Sequence, residues 1–211
     1  LLLNKITKQE VTVALSGDGG DESFIGYSHF VIIDKFRKLS WIPYPIRKLL
    51  SKTPFHWLTG SMPHTIREIL KSKDENELAV KFYISLDTIN KKRDLSWLDK
   101  HYSSFKHLSK DAVQRAADLN IKLWLENDSN VKVDRASMAF SVESRSPFLD
   151  YRIIEFARTL PISYRYKDGI TKRILRDILE EYIPREVFTQ PKKGFSIPLE
   201  KWLRNELKAD V

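Results

Sequence analysis

The stretch from Val11 to Tyr27 constrains the fold of this chain more than any other. It reads VTVALSGDGGDESFIGY, in which a short apolar run ends abruptly in a loop with three glycines in four positions. A short β-branched run favours a buried strand over a helix, and glycines allow a ligand to approach the backbone closely. Apolar residues recur at near-helical spacing after Asp21. The segment therefore predicts a strand, a glycine loop and a helix that runs to about Lys38.

The glycine loop combines the features of a phosphate site with three acidic residues, Asp18, Asp21 and Glu22. Free N–H groups at a helix N-terminus attract anions, whereas carboxylates repel a bare phosphate. Mg²⁺ reconciles the two, because it prefers one or two carboxylates together with phosphate oxygens and water. Asp21 and Glu22 are equally consistent with capping a helix and complementing its dipole, so both interpretations stay open.

Composition narrows the class of protein. The 211 residues include no cysteine, which excludes a disulfide framework, a thiolate zinc site and a cysteine nucleophile, and is compatible with the cytoplasm. A hydrophobic fraction of 42% predicts one globular domain, and no apolar stretch approaches the length of a membrane span. The net charge of +8 comes from Lys and Arg interspersed with acids along helical patterns. Solvated helix faces explain most of it, so no nucleic-acid partner is expected.

Hydrophobic periodicity predicts that most of the remaining chain is helical. The predicted helices are Ile46 to Lys52, Pro63 to Lys71, Asn76 to Leu86, Lys110 to Glu126, Tyr151 to Leu160, Ile170 to Tyr182 and a last one from Pro198. The apolar stripe of the Ile170–Tyr182 helix is expected to face the core. Asp150 is expected to cap the helix Tyr151 to Leu160. Leu1 to Leu3 open in mid-pattern and are interpreted as the tail of a helix. The five histidines show no ligand spacing and are expected to be structural or surface residues.

A second dense block of functional residue types spans Val131 to Asp150 and contains KVDRASMA and ESRSPFLD. Glu143 and Arg145 stand shortly before a proline, which enforces an extended step. For this pair, an ion-pair network that locks a helix end and a role in a ligand pocket both stay open. Lys172 lies in the first half of a predicted helix, where a bound anion would compensate for the unfavourable dipole. Lys192 lies in the basic turn PKKGFSIP, a composition that surface turns also have.

These segments together resemble the asparagine synthetases, which are amide ligases of the ATP-pyrophosphatase type. LSGDGGDE with Phe24, Gly26 and Tyr27 resembles the family's second nucleotide loop, and the K-x-D-R-x-S-M-A…E-x-R-x-P-F-L-D run resembles its second conserved block. The final K-x-G-F…P…W-L pattern matches at Lys192, Gly194, Phe195, Pro198, Trp202 and Leu203. The family's earlier lysine corresponds to Lys172.

The resemblance implies an α/β fold of the adenine-nucleotide α-hydrolase-like type, mostly α-helical here, with a short buried strand near its start. Residues 1–211 would be the C-terminal portion of one synthetase domain. The family's first nucleotide loop, S-G-G-x-D-S, and its glutaminase domain have no counterpart in the sequence. The 211 residues alone are therefore expected to form no adenylate.

The resemblance also implies a reaction that uses ATP and Mg²⁺. A carboxylate is adenylated with release of pyrophosphate, and ammonia then displaces AMP. Asp21 is implied as the Mg²⁺ ligand, Asp18 as a residue near the acyl-adenylate and ammonia, and Lys172 and Lys192 as the groups that neutralise pyrophosphate. The nucleotide contacts implied are Ser16, Gly17, Gly19 and Gly20. Glu143 and Arg145 are implied to shape the substrate pocket.

The implied partners are aspartate, ammonia from glutamine and a glutaminase domain, and a homodimer is compatible with them. Two alternatives stay open. Relatives of the family make other amides, such as β-lactam rings or amidated sugar acids, and the glycine loop does not distinguish these products. A non-catalytic basic helical binding module on the same scaffold would be expected to lose the acidic loop residues, yet Asp18, Asp21 and Glu22 are all present.

Overall fold

The computed structural model describes residues 1–52, 64–83, 96–189, 199–206 and 208 of the chain. Its helices are Leu2–Glu10 (α1), Gly20–Ser23 (α2), Ser28–Leu39 (α3), Tyr44–Leu50 (α4), His64–Lys71 (α5), Glu75–Tyr83 (α6), Ser96–Ser104 (α7), Ala112–Asn120 (α8), Asn130–Met138 (α9), Tyr151–Thr159 (α10), Ile162–Arg165 (α11), Arg173–Glu180 (α12), Arg185–Phe188 (α13) and Leu199–Arg204 (α14). Its strands are Val13–Leu15 (β1), Glu143–Arg145 (β2), Tyr166–Lys167 (β3) and Ile170–Thr171 (β4). The described residues form two compact units, Leu1–Arg176 and Asp177–Val211.

The strand predicted near the start of the chain is present, but it is not buried. β1 pairs in parallel with β2, with Val13 opposite Glu143 and Leu15 opposite Arg145. Val13 remains 39% exposed and Leu15 78% exposed. A parallel strand becomes buried when other elements cover both faces of its sheet, and the described residues provide β1 with one neighbouring strand. The predicted burial of this strand was therefore wrong, although its position was right.

The core of the first unit forms where α3 packs against α6, α7 and α8. Its most buried large apolar side chains, each at most 1% exposed, are Phe30, Ile33, Leu78, Tyr102, Val113 and Leu119. Each such side chain stabilises the fold by roughly 1.5–3 kcal/mol relative to its exposed state. This helical core provides a base for the glycine loop, which is joined to α3 through α2 and the break at residues 24–27.

The single helix predicted from Asp21 to about Lys38 was wrong, because it is two helices with a break between them. α2 ends at Ser23 and α3 begins at Ser28. Between them Ile25 is fully buried and has φ 57°, a conformation that an α-helix cannot contain. The carbonyl of Phe24 accepts a hydrogen bond from Lys172 N at 3.2 Å. The Phe24 carbonyl thus bonds to a residue about 150 positions downstream and not to the next helical turn. Local hydrophobic periodicity cannot predict such a hydrogen bond.

The helix predicted from Lys110 to Glu126 continues much further. Asp111 caps it, since its Oδ1 accepts from Val113 N at 2.8 Å and from Gln114 N at 3.1 Å. After α8 the chain passes through a π-helical segment, Ile121–Ser129, and directly into α9. The first half of the second conserved block therefore lies on a helix that ends at Met138.

The helix predicted from Ile170 to Tyr182 begins later than expected. Ile170 lies in β4, which pairs antiparallel with β3 around a turn at Asp168 and Gly169, and α12 begins at Arg173. The residue before that helix, Lys172, has φ 53°. The predicted core stripe was also wrong in part, since Ile178 is 48% exposed and Tyr182 76% exposed.

Other helices lie where periodicity predicts them, with boundaries shifted by a few residues. α4 begins at Tyr44 with Pro45 in its first turn, and α1 confirms that the chain opens in a helix. Asp150 caps α10 as predicted, because its Oδ1 accepts from Arg152 N at 2.9 Å. Among the described residues, no helix has the length and apolar character needed to cross a membrane.

Candidate functional site

The carboxyl ends of β1 and β2 meet at one edge of the parallel pair. Ser16 N donates to Arg145 O at 2.8 Å, so the hydrogen-bond ladder continues to the last residue of each strand. The glycine loop leaves β1 at this edge, and the segment Ser146–Asp150 leaves β2 beside it. In open α/β proteins, ligands bind at the carboxyl ends of parallel strands. The glycine loop and the end of the Val131–Asp150 block are therefore brought together at such an edge.

The glycine loop packs tightly against the segment after β2. Gly19 has φ 87°, and a Cβ there would overlap Leu149 and lie 3.1 Å from Phe148 O. A Cβ on Gly20 would lie 3.2 Å from the Phe148 ring. Gly17 differs, because a Cβ there would have no atom within 4 Å. Of the predicted nucleotide contacts, Gly19 and Gly20 are packed against the protein, and Gly17 has open space beside its backbone.

Asp18 is held in place by hydroxyl groups from two parts of the chain. The Ser16 hydroxyl donates to Asp18 Oδ2, and Ser129 Oγ lies 3.4 Å from Asp18 Oδ1. Ser129 ends the π-helical segment, and nothing in its sequence context indicated a role at the loop. Asp18 is half-buried, so its carboxylate is fixed but still accessible.

Beyond Asp18 lies a cleft of about 270 Å³ between the strand ends and α9. Three of its lining residues carry carboxylates: Asp18, Asp134 and Glu143. The others are Asn130, Val133, Ser137, Met138, Ser144, Ser146 and Leu149. No lysine, arginine or histidine is among these described lining residues. The cleft therefore favours a ligand with a cationic group.

Asp21 and Lys172 form an ion pair on the other side of the loop. Lys172 Nζ lies 3.0 Å from Asp21 Oδ1, and the two side chains are 31% and 21% exposed. Gly26 makes room for this pair, because a Cβ there would overlap both Asp21 Oδ1 and Lys172 Cε. The cap of α2 is Gly19, so Asp21 lies in the first turn and does not itself cap the helix. Side-chain capping by Asp21 is therefore excluded, whereas complementing the helix dipole and binding a cation both stay open.

Glu22 is the most buried acidic residue of the loop, at 2% exposure. Tyr27 Oη donates a hydrogen bond to its Oε1 at 2.7 Å. Burial raises the pKa of Glu22, and burial together with the glutamate raises that of Tyr27. The sequence placed Glu22 only in a first helical turn. The Tyr27 contact was missed because the break after α2, which brings Tyr27 back to Glu22, was missed.

His29 continues this half-buried polar region. Its ring stacks on Tyr27 with centroids 5.2 Å apart, and its Nε2 lies 2.6 Å from Asn120 Nδ2. Burial lowers the pKa of His29 to about 4, so the imidazole is neutral at neutral pH. The prediction that the histidines are structural or surface residues fits this environment.

Glu143 and Arg145 pair with each other on β2, with Arg145 Nε 2.7 Å from Glu143 Oε1. The pair is on a strand and not at a helix end, so of the two open alternatives the network that locks a helix end is excluded. Both side chains are more than half exposed, and the glutamate raises the pKa of Arg145. Glu143 lines the cleft, whereas Arg145 is absent from its described lining.

Two site predictions remain, the role of Lys192 and the magnesium site. Lys192 lies outside the described residues. No group of three or more histidine, cysteine or acidic side chains is placed to hold a metal ion within residues 1–52, 64–83, 96–189 and the described C-terminal helix. Asp21 nevertheless suits Mg²⁺, because it is a partly exposed carboxylate, at 21%, and this ion takes most of its ligands from phosphate and water.

The geometry first indicates a class of site: an acidic glycine loop and a lysine lie at the carboxyl end of a short parallel strand pair in a mostly helical chain. The chain belongs to the asparagine synthase family, whose model matches residues 1–211. It is 32% identical to asparagine synthetase [glutamine-hydrolyzing] 1 of Bacillus subtilis, over 96% of this chain and 33% of that protein. It is 29% identical to the putative asparagine synthetase of Mycobacterium tuberculosis, over 93% of this chain and 31% of that protein.

A human asparagine synthetase [glutamine-hydrolyzing] is 39% identical over 69 residues, which is 31% of this chain and 12% of that protein. The chain thus spans about a third of the length of these two bacterial relatives. No solved structure gave a significant match. The whole-chain match establishes the family of this chain, whereas two thirds of the Bacillus subtilis relative lie outside the matched region.

Proposed function

We propose that the chain is the C-terminal portion of the synthetase domain of an ATP-dependent amide ligase with the adenine-nucleotide α-hydrolase-like fold. The observation that carries this proposal is the ion pair between Asp21 and Lys172, 3.0 Å apart at the glycine loop. Although the two residues are far apart in the sequence, the pair places side by side a carboxylate that can bind a metal ion and an ammonium group that can bind phosphate. The membership of the asparagine synthase family supports the same function.

The residues of the loop have distinct roles in this proposal. Ser16 and the open backbone at Gly17 contact the nucleotide, and Gly19 and Gly20 keep the loop close to Phe148. Bound Mg²⁺ would screen the triphosphate charge, with Asp21 as its protein ligand. Lys172 then turns from Asp21 to the departing pyrophosphate as a point charge, and Lys192 joins it.

The proposed reaction has two steps, adenylation of a carboxylate and displacement of AMP by ammonia. A substrate carboxylate oxygen attacks the α-phosphorus of ATP, forms an acyl-adenylate and releases pyrophosphate. Ammonia then attacks the acyl carbon, the bond to AMP breaks, and the nitrogen loses one proton. Asp18, which is contacted by the hydroxyl groups of Ser16 and Ser129 and lines the cleft, is the carboxylate proposed to accept that proton.

Aspartate is the proposed substrate, and its ammonium group fits the acidic cleft better than a sugar acid does. A sugar acid brings only negative charge to a lining with three carboxylates. Glutamine-derived ammonia from a glutaminase domain, a homodimer and a cytoplasmic location complete the proposal by resemblance. A binding module without catalysis has no need for the pairing of Asp21 with Lys172.

A substrate panel tests this function. The full-length protein is incubated with Mg·ATP, ammonia and either aspartate or a hexuronic acid, and pyrophosphate release is measured. We expect release with aspartate and formation of asparagine, both reduced about 10²-fold but still measurable in Lys172→Ala. Release with the hexuronic acid alone would show an amidotransferase for sugar acids, and release with neither would contradict the assignment.

A further inference from the structure

The β3–β4 hairpin is flanked by two cationic residues, and both contact the segment that carries the acids of the glycine loop. Arg165 immediately precedes β3, and its Nη1 donates to Ser23 O, at the end of α2, at 3.2 Å. Lys172 immediately follows β4, and its Nζ reaches Asp21 while its backbone N donates to Phe24 O at 3.2 Å. One hairpin therefore holds α2 at three points.

The hairpin is short enough to couple its two ends. Each strand has two residues, and the turn uses Asp168 and Gly169 with φ 50° and 86°. Positive φ at both central residues matches the twist of antiparallel strands and makes this type of turn stiff. Tyr166 is buried, and its hydroxyl lies 3.5 Å from Asp34 Oδ2 on α3. Two short strands and this turn are all that separate Arg165 from Lys172, so we expect a displacement at Arg165 to shift Lys172.

Arg165 is anchored far more firmly than Lys172. It is 1% exposed, and besides Ser23 its Nη2 donates to Gln114 Oε1 at 2.5 Å and to Leu160 O at 3.1 Å. Gln114 in turn donates to Asp118 Oδ1 at 2.9 Å, and Asp118 pairs with Arg158 at 3.1 Å. A buried charge must keep its partners, because losing them leaves it uncompensated. This network therefore fixes the hairpin to α8 and α2 at once.

We propose that Arg165 is a positioning residue, which fixes the hairpin to α2 so that the Lys172 ammonium faces Asp21. It acts through Lys172 and does not itself contact the loop carboxylates. Its effect on catalysis rests on the proposed function, whereas its effect on the hairpin does not.

A double-mutant cycle on the full-length protein tests the proposal. Arg165→Met removes the donors and keeps the length of the side chain. If Arg165 acts through Lys172, this change lowers the adenylation rate by about tenfold or more in the otherwise unchanged protein, and by less than about twofold in the Lys172→Ala background. Equal losses in both backgrounds would show a general structural role and overturn the proposal.

Two matched variants sharpen the cycle. Arg165→Lys restores one donor towards Ser23 O and should recover most of the rate. Arg158→Met makes the same substitution in the same network and leaves the Arg165 donors in place. It should lower the stability, because Asp118 loses its ion pair, and leave the rate of the folded protein within about twofold. Should Arg165→Met fail to fold, Gly169→Ala strains the exposed turn instead, where an added Cβ meets nothing within 4 Å. It should give a smaller loss that also disappears in the Lys172→Ala background.

Hydrogen exchange separates this proposal from the proposed function. In Arg165→Met, or in Gly169→Ala if it replaces that variant, the backbone amides of residues 166–172 should exchange faster than in the unchanged protein. In Arg158→Met they should not. Unchanged exchange in these amides would overturn the positioning role whatever the activity. Absence of pyrophosphate release from the unchanged protein would overturn the proposed function alone, and the exchange result would still decide the role of Arg165.

Discussion

Asp21 is a side chain whose environment is set by a residue distant in the sequence, Lys172. By sequence it is an acidic residue in a first helical turn, which describes many residues without a catalytic role. In the structure its carboxylate faces Lys172, and the glycine at position 26 leaves the space that the pair occupies. The side chain is thus paired with a distant lysine and does not cap the helix.

Replacing Asp21 with asparagine is expected to separate catalysis from stability. The change should lower the adenylation rate by about 10²-fold or more, the scale for loss of one preorganised electrostatic group. Folding should survive, because a partly exposed ion pair contributes only about 0–1 kcal/mol. Pyrophosphate release and thermal unfolding of the full-length protein measure the two effects. Near-normal release would mean that Asp21 only complements the helix dipole.

Glu22 gives a prediction about the pH dependence of stability and not about catalysis. Burial raises its folded-state pKa above the ordinary 4.5, so the folded state binds more protons than the unfolded state between these two pKa values. Stability therefore falls as pH rises from 4.5 through the raised folded-state pKa, and the full penalty remains above it. Glu22→Gln keeps an acceptor for Tyr27 and removes the penalty. Its melting temperature should exceed that of the unchanged protein at neutral pH.

The control for Glu22 is Glu126→Gln, a change on an exposed surface in a pair with Lys122. It should leave the pH dependence of the melting temperature as it is. Parallel curves for Glu22→Gln and the unchanged protein across the acidic range would show that Glu22 ionises in its buried place at no cost.

Lys192 remains a prediction from the resemblance, since it lies outside the described residues. As a pyrophosphate-neutralising group it meets charge that grows on the leaving group, so its loss acts on the transition state. Lys192→Ala should reduce adenylate formation about 10²-fold with an unchanged melting temperature. Lys193→Ala is the matched control and should be nearly silent. Equal effects of the two changes, or none from either, would rule out this role.

At the scale of elements, the helix that begins at Ala112 is the main support of the site. It packs on α3, continues through the π-helical segment, and ends beside the cleft as α9. Hydrogen-bond contacts to the glycine-loop region occur at both ends of the π-helical segment, from Asn120 to His29 and from Ser129 to Asp18. π-Helical segments are frequent at functional sites.

The cap of this helix should therefore matter for stability. Asp111→Ala removes the side-chain acceptor of two backbone N–H groups and also the ion pair with Arg37 at 3.0 Å. We expect a loss of about 1–2 kcal/mol in the free energy of unfolding. Asp111→Asn keeps the cap and loses only the partly exposed ion pair, so it should cost less than about 1 kcal/mol. Chemical denaturation measures both, and equal losses would assign the stability to the ion pair.

At the scale of the whole molecule, charge is distributed unevenly. The chain carries a net charge of +8, yet the cleft at the strand ends is lined by three carboxylates and by no cation among its described residues. Overall charge would suggest an anionic partner, whereas the local field favours a cationic group on the ligand. The composition of a chain does not determine the sign of charge at a site, because folding gathers a few residues out of many.

The sequence by itself determined the mostly helical class, the strand–loop–helix order at the glycine loop and the caps at helix starts such as Asp150. These follow from contacts within a few residues, which spacing and turn chemistry record directly. It also identified the two blocks whose segments meet at the ends of β1 and β2, through their resemblance to one family.

Only the tertiary structure decided the break at Ile25, the hairpin before Lys172, the exposure of Leu15 and the burial of Glu22. Each depends on a partner distant in the sequence, or on the lack of a covering element: Lys172 N pairs with Phe24 O, and β1 has one neighbouring strand among the described residues. Residues such as Arg165 and Ser129 carry no local signal. Their roles arise from the three-dimensional packing that places a donor within reach of a particular carbonyl or carboxylate.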